Sequence, residues 1–233
     1  HISIAGATRI ITVAGATPAI GWQISAFQGL VVINNGIDAP WGWDGVAGTA
    51  VALPNWTDPA DRARVIRPFK QFLVALYITS GGNIFQNRIA WSAPAEPGTF
   101  PTTWDPNDDT NDAGWFDIAD TPGQFLDCLP LGDANMIYKT DSIWGMVYTA
   151  TEQVFRFYKV AAIGALGINC ITAVPGGHVV LGNGDVYFNT GQGEPKSLVN
   201  KKIREAIFAR ITPENAPYAF TCLQRRFEEV WIC

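Results

Sequence analysis

Residues 126–142, LDCLPLGDANMIYKTDS, place a tight polar turn at Gly132 and Asp133 between two apolar stretches. This pattern predicts a β-hairpin, because glycine readily adopts the positive φ that a two-residue turn requires. The same arrangement recurs at WQISAFQGLVVINN from Trp22, RVIRPFKQFLVALYITSGG from Arg64, INCITAVPGGHVVLGNGD from Ile168 and FTCLQRRFEEVWIC from Phe220. The hairpin is therefore a repeated unit of this chain.

One position of the hairpin aligns across all five copies, with spacings of 42, 62, 42 and 52 residues: Ile24, Ile66, Cys128, Cys170 and Cys222. A third strand-like stretch follows each of the first four hairpins, at residues 40–43, 87–92, 142–148 and 185–188. A fourth stretch follows the third, at residues 49–53, 115–118, 154–160 and about 196–199. Four strands in every 40–60 residues are typical of the blades of a β-propeller.

We therefore predict an all-β fold, a β-propeller with four-stranded antiparallel blades, of which the chain forms a part. The predicted blades are residues 22–56, 64–118, 126–160 and 168–199, with the start of another at 220–233. Residues 9–13 are interpreted as the outer strand of a preceding blade. A β-sandwich also produces short strands at regular spacing and remains the alternative fold. Because the last strand stops in mid-course, we expect the sequence to belong to a longer polypeptide.

The composition excludes several other classes of protein. The chain has 233 residues, of which 48% are hydrophobic, 12% aromatic and 16% charged, so neither a disordered chain nor a coiled coil fits. A net charge of −5 argues against a strongly basic nucleic-acid binder. No apolar run approaches the ~20 residues that span a bilayer, so we predict no membrane span.

A single helix is predicted over residues 198–211, between two blades. Apolar residues recur at every fourth position, and charged residues cover the other side. Ser197 is the predicted N-cap, and Pro213 ends the helix. The basic residues of this region and of the last hairpin are interpreted as solvated, with contact to DNA or to an acidic neighbour as the alternative: Lys201, Lys202, Arg204, Arg225 and Arg226.

The cysteines are predicted to be reduced and structural. Cys128, Cys170 and Cys222 occupy the aligned position, where a small buried hydrophobic side chain is expected, whereas Cys233 is outside it. No CxxC pair exists, and His1 and His178 are the only histidines, so a zinc site is not indicated. Disulfides or a metal remain the alternative interpretation of the three aligned thiols.

The acidic stretch DPNDDTND, residues 105–112, resembles a calcium-binding loop at first sight. The EF-hand pattern requires Gly at its sixth position and Glu at its twelfth, where this chain has Thr110 and Phe116. We interpret the stretch as a solvated, turn-rich loop and keep a Ca²⁺ site as the alternative.

No catalytic, cofactor-binding or metal-binding residue is predicted, and the chain is expected not to be an enzyme. Its carboxylates lie beside Gly, Pro and Thr, where turns use them, at Asp117, Asp120, Asp127, Asp133 and Asp141. His178, in PGGHVVLG, is interpreted as a turn or strand-edge residue, so a Ser-His-Asp arrangement is not indicated. The glycine-containing turns at 81–83 and 182–185 do not open a helix, as a phosphate-binding loop would.

Several motifs resemble bacteriophage tail β-propeller proteins, in particular the tail nozzle, or tail tubular, proteins of short-tailed phages. The resemblance extends over about residues 65–233. Its motifs are W-S-x-P at 91–94, W-D-P at 104–106, A-G-W-F-D at 113–117, L-G-D followed by Y-K-x-D-S-I at 131–143, and G-D-V-Y at 184–187. These are turn and strand motifs, so no active residue is transferred to this chain.

The resemblance implies a structural protein in the tail of a virion. It implies a homo-oligomeric ring, a hexamer in the nozzles, that docks on a tail adaptor and conducts genomic DNA during ejection. We expect a polar, neutral or acidic lumen without stable sequence-specific DNA binding, and the 105–112 loop is a candidate for its wall.

Two other functions compete with this one. A propeller that binds or cleaves carbohydrate is one alternative, because nine tryptophans could stack on sugars. We instead assign Trp43, Trp91, Trp104, Trp115 and Trp144 to blade cores, since they fall on strands or strand ends. A cellular scaffold propeller is the other alternative, but the G-H…W-D repeat is missing.

Overall fold

A computed structural model of the chain describes residues 2–4, 7–9, 11–17, 21–46, 48–149, 151 and 153–233. The side chains of residues 2–4 and 7–9 are not described, and His1 and Ile10 lie outside the described residues. The chain divides into two compact units, residues 1–118 and 119–233, and each is described by itself.

Within its described residues, the first unit contains three sheets. β1 pairs with β2, one sheet has the strand order β3-β7-β6-β5-β4, and the other has the order β11-β10-β9-β8. The strands are β1 (Ile2–Ile4), β2 (Ala7–Arg9), β3 (Thr12–Val13), β4 (Gln23–Phe27), β5 (Leu30–Asn34), β6 (Trp41–Trp43), β7 (Thr49–Ala52), β8 (Arg62–Phe69), β9 (Phe72–Ser80), β10 (Asn83–Trp91) and β11 (Gly114–Asp117).

The described part of the second unit also contains three sheets, with the orders β12-β13-β14-β15, β16-β17-β18-β19 and β20-β21. Its elements are β12 (Phe125–Leu131), β13 (Ala134–Lys139), β14 (Ile143–Tyr148), β15 (Phe155–Ala161), β16 (Ile171–Val174), β17 (Gly177–Leu181), β18 (Val186–Asn189), β19 (Lys196–Ser197), α1 (Lys201–Phe208), a 3₁₀ turn (Ala216–Tyr218), β20 (Thr221–Gln224) and β21 (Glu229–Ile232).

The predicted all-β chain of four-stranded antiparallel sheets is confirmed. Four antiparallel strands follow one another in each of the four complete sheets, and the ends of the predicted third and fourth strands lie within about four residues of the observed ones. Three of these sheets are simple four-stranded meanders, and the fourth adds the short parallel strand β3 to the edge of its four-stranded meander β4–β7. The Greek-key order of a β-sandwich does not occur in any sheet of the described residues.

Tight turns explain the shape of the hairpins. Phe27 pairs with Leu30 across Gln28 and Gly29, whose φ angles are 51° and 84°. Positive φ at both positions matches the twist of the flanking strands. In the third hairpin, Gly132 with φ 60° has the same function. The hairpin turns were thus readable from the sequence.

The aligned position needs a correction at Cys170. Residues three positions before the last pair of a hairpin share one register, as in Ile24 with Ile33, Ile66 with Ala75, and Cys128 with Ile137. In the fourth hairpin the residue in this register is Ile171, which pairs with Val180. Cys170 precedes β16 and packs with Val179 and Leu181 on the opposite face of the sheet.

Cys222 is also one residue away from the aligned position. Its hairpin has a four-residue turn between Gln224 and Glu229, so the residue in register is Thr221. The Thr221 hydroxyl lies 2.8 Å from the Thr172 hydroxyl of the preceding sheet. The side chain of Cys222 points to the other face.

Each unit has its own hydrophobic clusters between sheets. In the first unit the facing sides of the β4–β7 and β8–β11 sheets contribute buried residues that include Phe27, Val32, Ile66 and Leu73. In the second unit one cluster joins the β12–β15 and β16–β19 sheets, and another joins the latter to α1 and the β20–β21 hairpin.

The helix is shorter than predicted. It spans Lys201–Phe208, and its N-cap is Asn200, whose Oδ1 accepts from the Ile203 backbone N–H at 3.0 Å. The prediction of Ser197 as N-cap was wrong because that residue belongs to β19, where the Ser197 hydroxyl donates to Asp185 Oδ1 at 3.0 Å.

The interpretation of residues 9–13 was wrong as well. β2 ends at Arg9, and β3 is a separate strand that pairs in parallel with β7, Thr12 opposite Thr49 and Val13 opposite Ala50. The stretch therefore extends the edge of the β4–β7 sheet and is not the outer strand of a preceding one.

Candidate interaction surfaces

His178 lies at the centre of a buried polar network in the second unit. It is on β17, an interior strand, and is buried, so its interpretation as a turn or strand-edge residue was wrong. Pro175 and Gly176 form the turn, and residue 178 already lies within β17, opposite Ala173.

The hydrogen bonds of this network fix the tautomer of His178. The Pro130 carbonyl oxygen can only accept, so Nε2 donates to it at 3.1 Å. Nδ1 therefore accepts from the Tyr138 hydroxyl at 2.8 Å, and that hydroxyl accepts from Asn189 Nδ2 at 2.8 Å. Asn189 Oδ1 in turn accepts from the Gly191 N–H at 2.9 Å.

Burial keeps the members of this network uncharged. Desolvation lowers the pKa of His178, against the smaller opposing effects of the Pro130 carbonyl and Asp127. Desolvation also raises the pKa of Tyr138 far above its usual range. A buried, fully hydrogen-bonded and neutral network links β12 and β13 to β17 and β18, and it is a structural feature of this unit.

Lys139 is a second buried ionisable residue of the same unit. Its Nζ donates to the Thr121 carbonyl at 2.6 Å and to the Thr121 hydroxyl at 2.8 Å. Desolvation lowers the pKa of Lys139, while Asp141 and Asp120 oppose that effect. The ammonium thereby ties the segment before β12 to the end of β13.

The four cysteines are free thiols with different exposure. Cys128 and Cys170 are buried, as predicted, and burial raises the pKa of Cys170 to about 11. Cys222 is only partly buried, so the prediction for this residue was wrong. The four-residue turn of its hairpin is the physical reason, because it directs the thiol to the uncovered face.

Hydrogen bonds between its own residues hold the acidic loop at 105–112. Asp105 Oδ1 accepts from the backbone N–H and the side-chain amide of Asn107, at 2.9 and 3.0 Å. Asp108 Oδ1 accepts from the backbone N–H and hydroxyl of Thr110, which lower the pKa of Asp108. In the part of the chain that the structure describes, no group of three or more His, Cys, Asp or Glu side chains is placed to hold a metal ion.

An aromatic and cationic surface lies on β10 and β11 of the first unit. The Arg88 guanidinium carbon is 4.0 Å from the Phe85 ring centroid and 3.8 Å from that of Trp115. Arg88 also makes two hydrogen bonds to Asp117, at 2.8 and 2.7 Å. Trp115 remains 48% exposed, so its assignment to a blade core was wrong.

The other four tryptophans assigned to cores are buried: Trp43, Trp91, Trp104 and Trp144. Trp115 differs because its strand, β11, lies at the edge of its sheet, where the Arg88 guanidinium packs over its ring. Sequence position on a strand did not distinguish it from the others.

The β20–β21 hairpin carries the second exposed surface. Trp231 is 45% exposed, and the nearby sequence positions Tyr218, Phe220 and Phe227 are exposed as well. The hairpin is the only two-stranded sheet of the described second unit. A groove of about 770 Å³ separates the tip of the β16–β17 hairpin from this one, lined by Ala173, Val174, Pro175, Val179, Leu223, Arg225, Glu228 and Val230.

The basic residues do not share one surface function. Arg204 binds Asp185 through two hydrogen bonds of 3.0 and 3.1 Å and thereby attaches α1 to the β16–β19 sheet. Lys201 and Glu205 form only a long, exposed contact of 3.9 Å. The interpretation of this helix face as solvated thus holds for Lys201 but not for Arg204.

Comparison with known proteins gave no relative: no protein-family model matches the chain, and no curated protein sequence matches it. None of the helices within the described ranges is long and apolar enough to cross a membrane.

Proposed function

We propose that this chain is a structural component of a bacteriophage tail. Its four-stranded sheets would be blades of a β-propeller, and copies of the complete protein would form a ring or tube, a nozzle, through which DNA is ejected into the host. In this proposal the protein is a virion protein of the tail and has no catalytic function.

The observation that carries the proposal is the repetition of one sheet type. Four meanders of four antiparallel strands and one further hairpin follow each other, and their hairpins share a register. A sheet with two apolar faces needs a neighbour on each side, and radial repetition supplies such neighbours. The predicted blades at 22–56, 64–118, 126–160, 168–199 and 220–233 each cover most of one of these sheets or hairpins, with strand ends up to two residues outside these bounds.

The positions of the resembling motifs support a structural role. A-G-W-F-D supplies β11, L-G-D supplies the turn between β12 and β13, and G-D-V-Y leads into β18. The polar residues of Y-K-x-D-S-I are bound inside the protein, as the contacts of Tyr138 and Lys139 illustrate. These motifs therefore build strands and turns.

The partners follow from the same proposal. They are further copies of the chain, in a hexamer if the resemblance holds, a tail adaptor, and genomic DNA in transit without stable sequence-specific binding. The loop at 105–112 is the proposed acidic part of the lumen wall, because DNA slides past a surface that does not attract its phosphates.

Electron microscopy of the full-length protein and mass spectrometry of purified virions test this proposal. We expect closed rings with a pore wide enough for duplex DNA, and the protein among the virion components. A protein that stays monomeric at high concentration and is absent from virions would refute the tail assignment. A lumen lined with Lys and Arg would refute the sliding argument alone.

Carbohydrate binding is the second candidate function, and the exposed Trp115 favours it. Sugar sites combine aromatic rings with charged hydrogen-bonding groups, and Trp115 lies beside the Arg88–Asp117 pair. Glycan-array binding that is lost in Trp115→Ala would support this candidate. Binding that persists in this variant, or no binding, would leave the structural role.

A further inference from the structure

The dipeptide Asn-Gly occurs twice in the sequence, at Asn35–Gly36 and at Asn183–Gly184. In this dipeptide the glycine backbone nitrogen can attack the side-chain carbonyl carbon of asparagine, because glycine has no side chain that obstructs the approach. The attack requires an accessible asparagine amide and a backbone that can rearrange into a five-membered ring. The two copies of the dipeptide differ in both respects.

Asn35 is buried, and its amide is held by four hydrogen bonds. Its Nδ2 donates to the Thr17 carbonyl at 3.2 Å and to Asp38 Oδ2 at 2.8 Å, and its Oδ1 accepts from two backbone N–H groups at 3.0 and 2.9 Å. A Cβ atom added at Gly36 would lie 3.2 Å from the Arg64 carbonyl oxygen, so the backbone is confined as well. Reaction at Asn35 therefore requires a local opening of the structure.

Asn183 and Gly184 are exposed and form the tip of the turn between β17 and β18. Within the described part of the chain, no group makes a hydrogen bond to the Asn183 side chain. Gly184 has a φ angle of 96°, and a Cβ atom added there would meet no atom within 4 Å. The Gly184 N–H donates to the Gly182 carbonyl at 3.1 Å, which makes a three-residue turn centred on Asn183. This tip has the accessible amide and the space that ring closure requires.

We propose that Asn183 is a site of spontaneous deamidation in the folded chain and that Asn35 is not. The Gly184 nitrogen forms a bond to Cγ of Asn183, the bond from Cγ to the side-chain nitrogen breaks, and that nitrogen leaves as ammonia with the Gly184 proton. One water molecule then opens the succinimide ring. Opening at Cγ gives aspartate, and opening at the former backbone carbonyl carbon gives isoaspartate, whose main chain is longer by one methylene. The inference does not rest on the proposed tail function.

The modified turn leads directly into the residue that attaches α1 to its sheet. The Asp185 carboxylate accepts from the Ser197 hydroxyl at 3.0 Å and from Arg204 Nε and Nη2 at 3.0 and 3.1 Å. A cavity of about 330 Å³ beside the turn has Asp141, Asn183 and Asp185 in its wall, so a carboxylate at position 183 adds a third negative charge there. The isoaspartate form also lengthens the main chain two residues before Asp185, and it should loosen the attachment of α1.

The test follows the purified chain during incubation at neutral pH in water enriched in oxygen-18, with peptide mapping by mass spectrometry at intervals. Incorporation of a heavy oxygen atom distinguishes deamidation during the incubation from deamidation during digestion. We expect position 183 to react at least ~10-fold faster than position 35 in the folded chain, because position 35 reacts only after local opening. In urea the two rates should approach each other, and a synthetic peptide of residues 180–187 gives the rate of an unrestrained Asn183.

Two variants separate the reaction from its consequences. Asn183→Gln should incorporate no label at position 183, since glutamine would have to close a larger ring. Asn183→Asp has the new charge on a main chain of normal length. Hydrogen exchange of the α1 amides should be fastest in the isolated isoaspartate form, intermediate in Asn183→Asp and slowest in the unmodified chain.

Three results would overturn the inference. The first is a folded chain that stays unlabelled at position 183 while the peptide of residues 180–187 becomes labelled, since the turn would then protect Asn183. The second is equal labelling of positions 35 and 183 in the folded chain, which would show that burial and hydrogen bonding of the amide do not decide its reactivity. The third, an isoaspartate form whose α1 amides exchange as in the unmodified chain, would refute the loosening of α1.

Discussion

The Tyr138 hydroxyl donates to Nδ1 of His178 across 2.8 Å and so connects β13 of one sheet with β17 of the next. The direction of this bond is set by the far side of the imidazole, where the Pro130 carbonyl accepts from Nε2. Tyr138 and His178 are separated in the sequence by three strands, β14 to β16, and one directional chain of hydrogen bonds fixes them relative to each other.

Removal of the Tyr138 hydroxyl should destabilise the second unit. Tyr138→Phe leaves both His178 Nδ1 and one N–H of Asn189 without their partner, and a buried unsatisfied polar group costs roughly 1–3 kcal/mol. Urea unfolding followed by circular dichroism measures the difference in the free energy of unfolding. Tyr218→Phe, at an exposed ring, is the control and should change that free energy by less than about 0.5 kcal/mol.

The same residue pair predicts how stability depends on pH. Because the pKa of His178 in the folded chain is below its usual 6.5, the unfolded chain binds a proton that the folded chain does not bind. The contribution of neutral His178 is complete above pH 6.5 and decreases as the pH falls toward the folded pKa, by at most about 1.4 kcal/mol per pH unit.

Urea midpoints of the wild type and of His178→Gln at pH 7.5, 6.5 and 5.5 measure this dependence. Other titrating groups are common to both proteins, so the difference between their slopes reports His178. A wild-type midpoint that rises relative to the variant on acidification would contradict the sign.

Much of the fold could be predicted because strands, turns and their repetition are local properties. Apolar alternation and turn residues located the strands of the four meanders and of the last hairpin, including short ones such as β6 and β19, but not β1 and β2. The face of the sheet on which a side chain lies changes when a turn is one residue longer or shorter. The sequence pattern did not determine this face. For this reason the aligned position is occupied by Ile171 and Thr221, whereas Cys170 and Cys222 lie next to it.

The polar contacts were less predictable, since they depend on which sheets become neighbours. His178 lies two residues after the Pro175–Gly176 turn, and nothing local indicates that Tyr138, 40 positions earlier, will face it. Ser197 and Asn200 are both good N-cap residues, and the pairing of β19 with β18 decided between them. Trp115 is a strand residue like the buried tryptophans, but its strand lies at a sheet edge.

The thiols should differ in their reactivity. Cys233 and Cys222 are accessible to alkylation in the folded chain, whereas Cys128 is buried and Cys170 is buried with a pKa raised to about 11, which keeps it protonated. Brief iodoacetamide labelling followed by peptide mass mapping should modify Cys233 first, Cys222 more slowly and the other two only after unfolding in urea. Rapid labelling of Cys170 in the folded chain would refute this order.

Replacement of a buried thiol by a hydroxyl should lower the free energy of unfolding. Cys170→Ser and Cys128→Ser should each cost about 1–3 kcal/mol of unfolding free energy, because a hydroxyl is more costly than a thiol to bury. Cys222→Ser is the matched control, and its partly exposed side chain should make the cost smaller than either. Equal costs at the three positions would show that the difference in burial has no energetic effect.

The surface around Trp115 should be stabilised by Arg88 more than exposed ion pairs usually are. Arg88 makes two short hydrogen bonds to Asp117 and lies between two aromatic rings, and its side chain is only 19% exposed. Exposed salt bridges contribute about 0–1 kcal/mol, and a guanidinium over aromatic rings adds about 0.5–1 kcal/mol. A double-mutant cycle of Arg88→Ala and Asp117→Asn, measured by urea unfolding, should therefore give a favourable coupling energy.

The same cycle at Lys201 and Glu205, whose side chains are 88% and 67% exposed and 3.9 Å apart, should give a coupling energy near zero. Arg88→Lys should retain little of the stabilisation, since lysine has neither the fork that binds two carboxylate oxygens nor the plane that stacks on Trp115. If Arg88→Lys were as stable as the wild type, charge alone would account for the interaction, and the stacking on Phe85 and Trp115 would have no part in it.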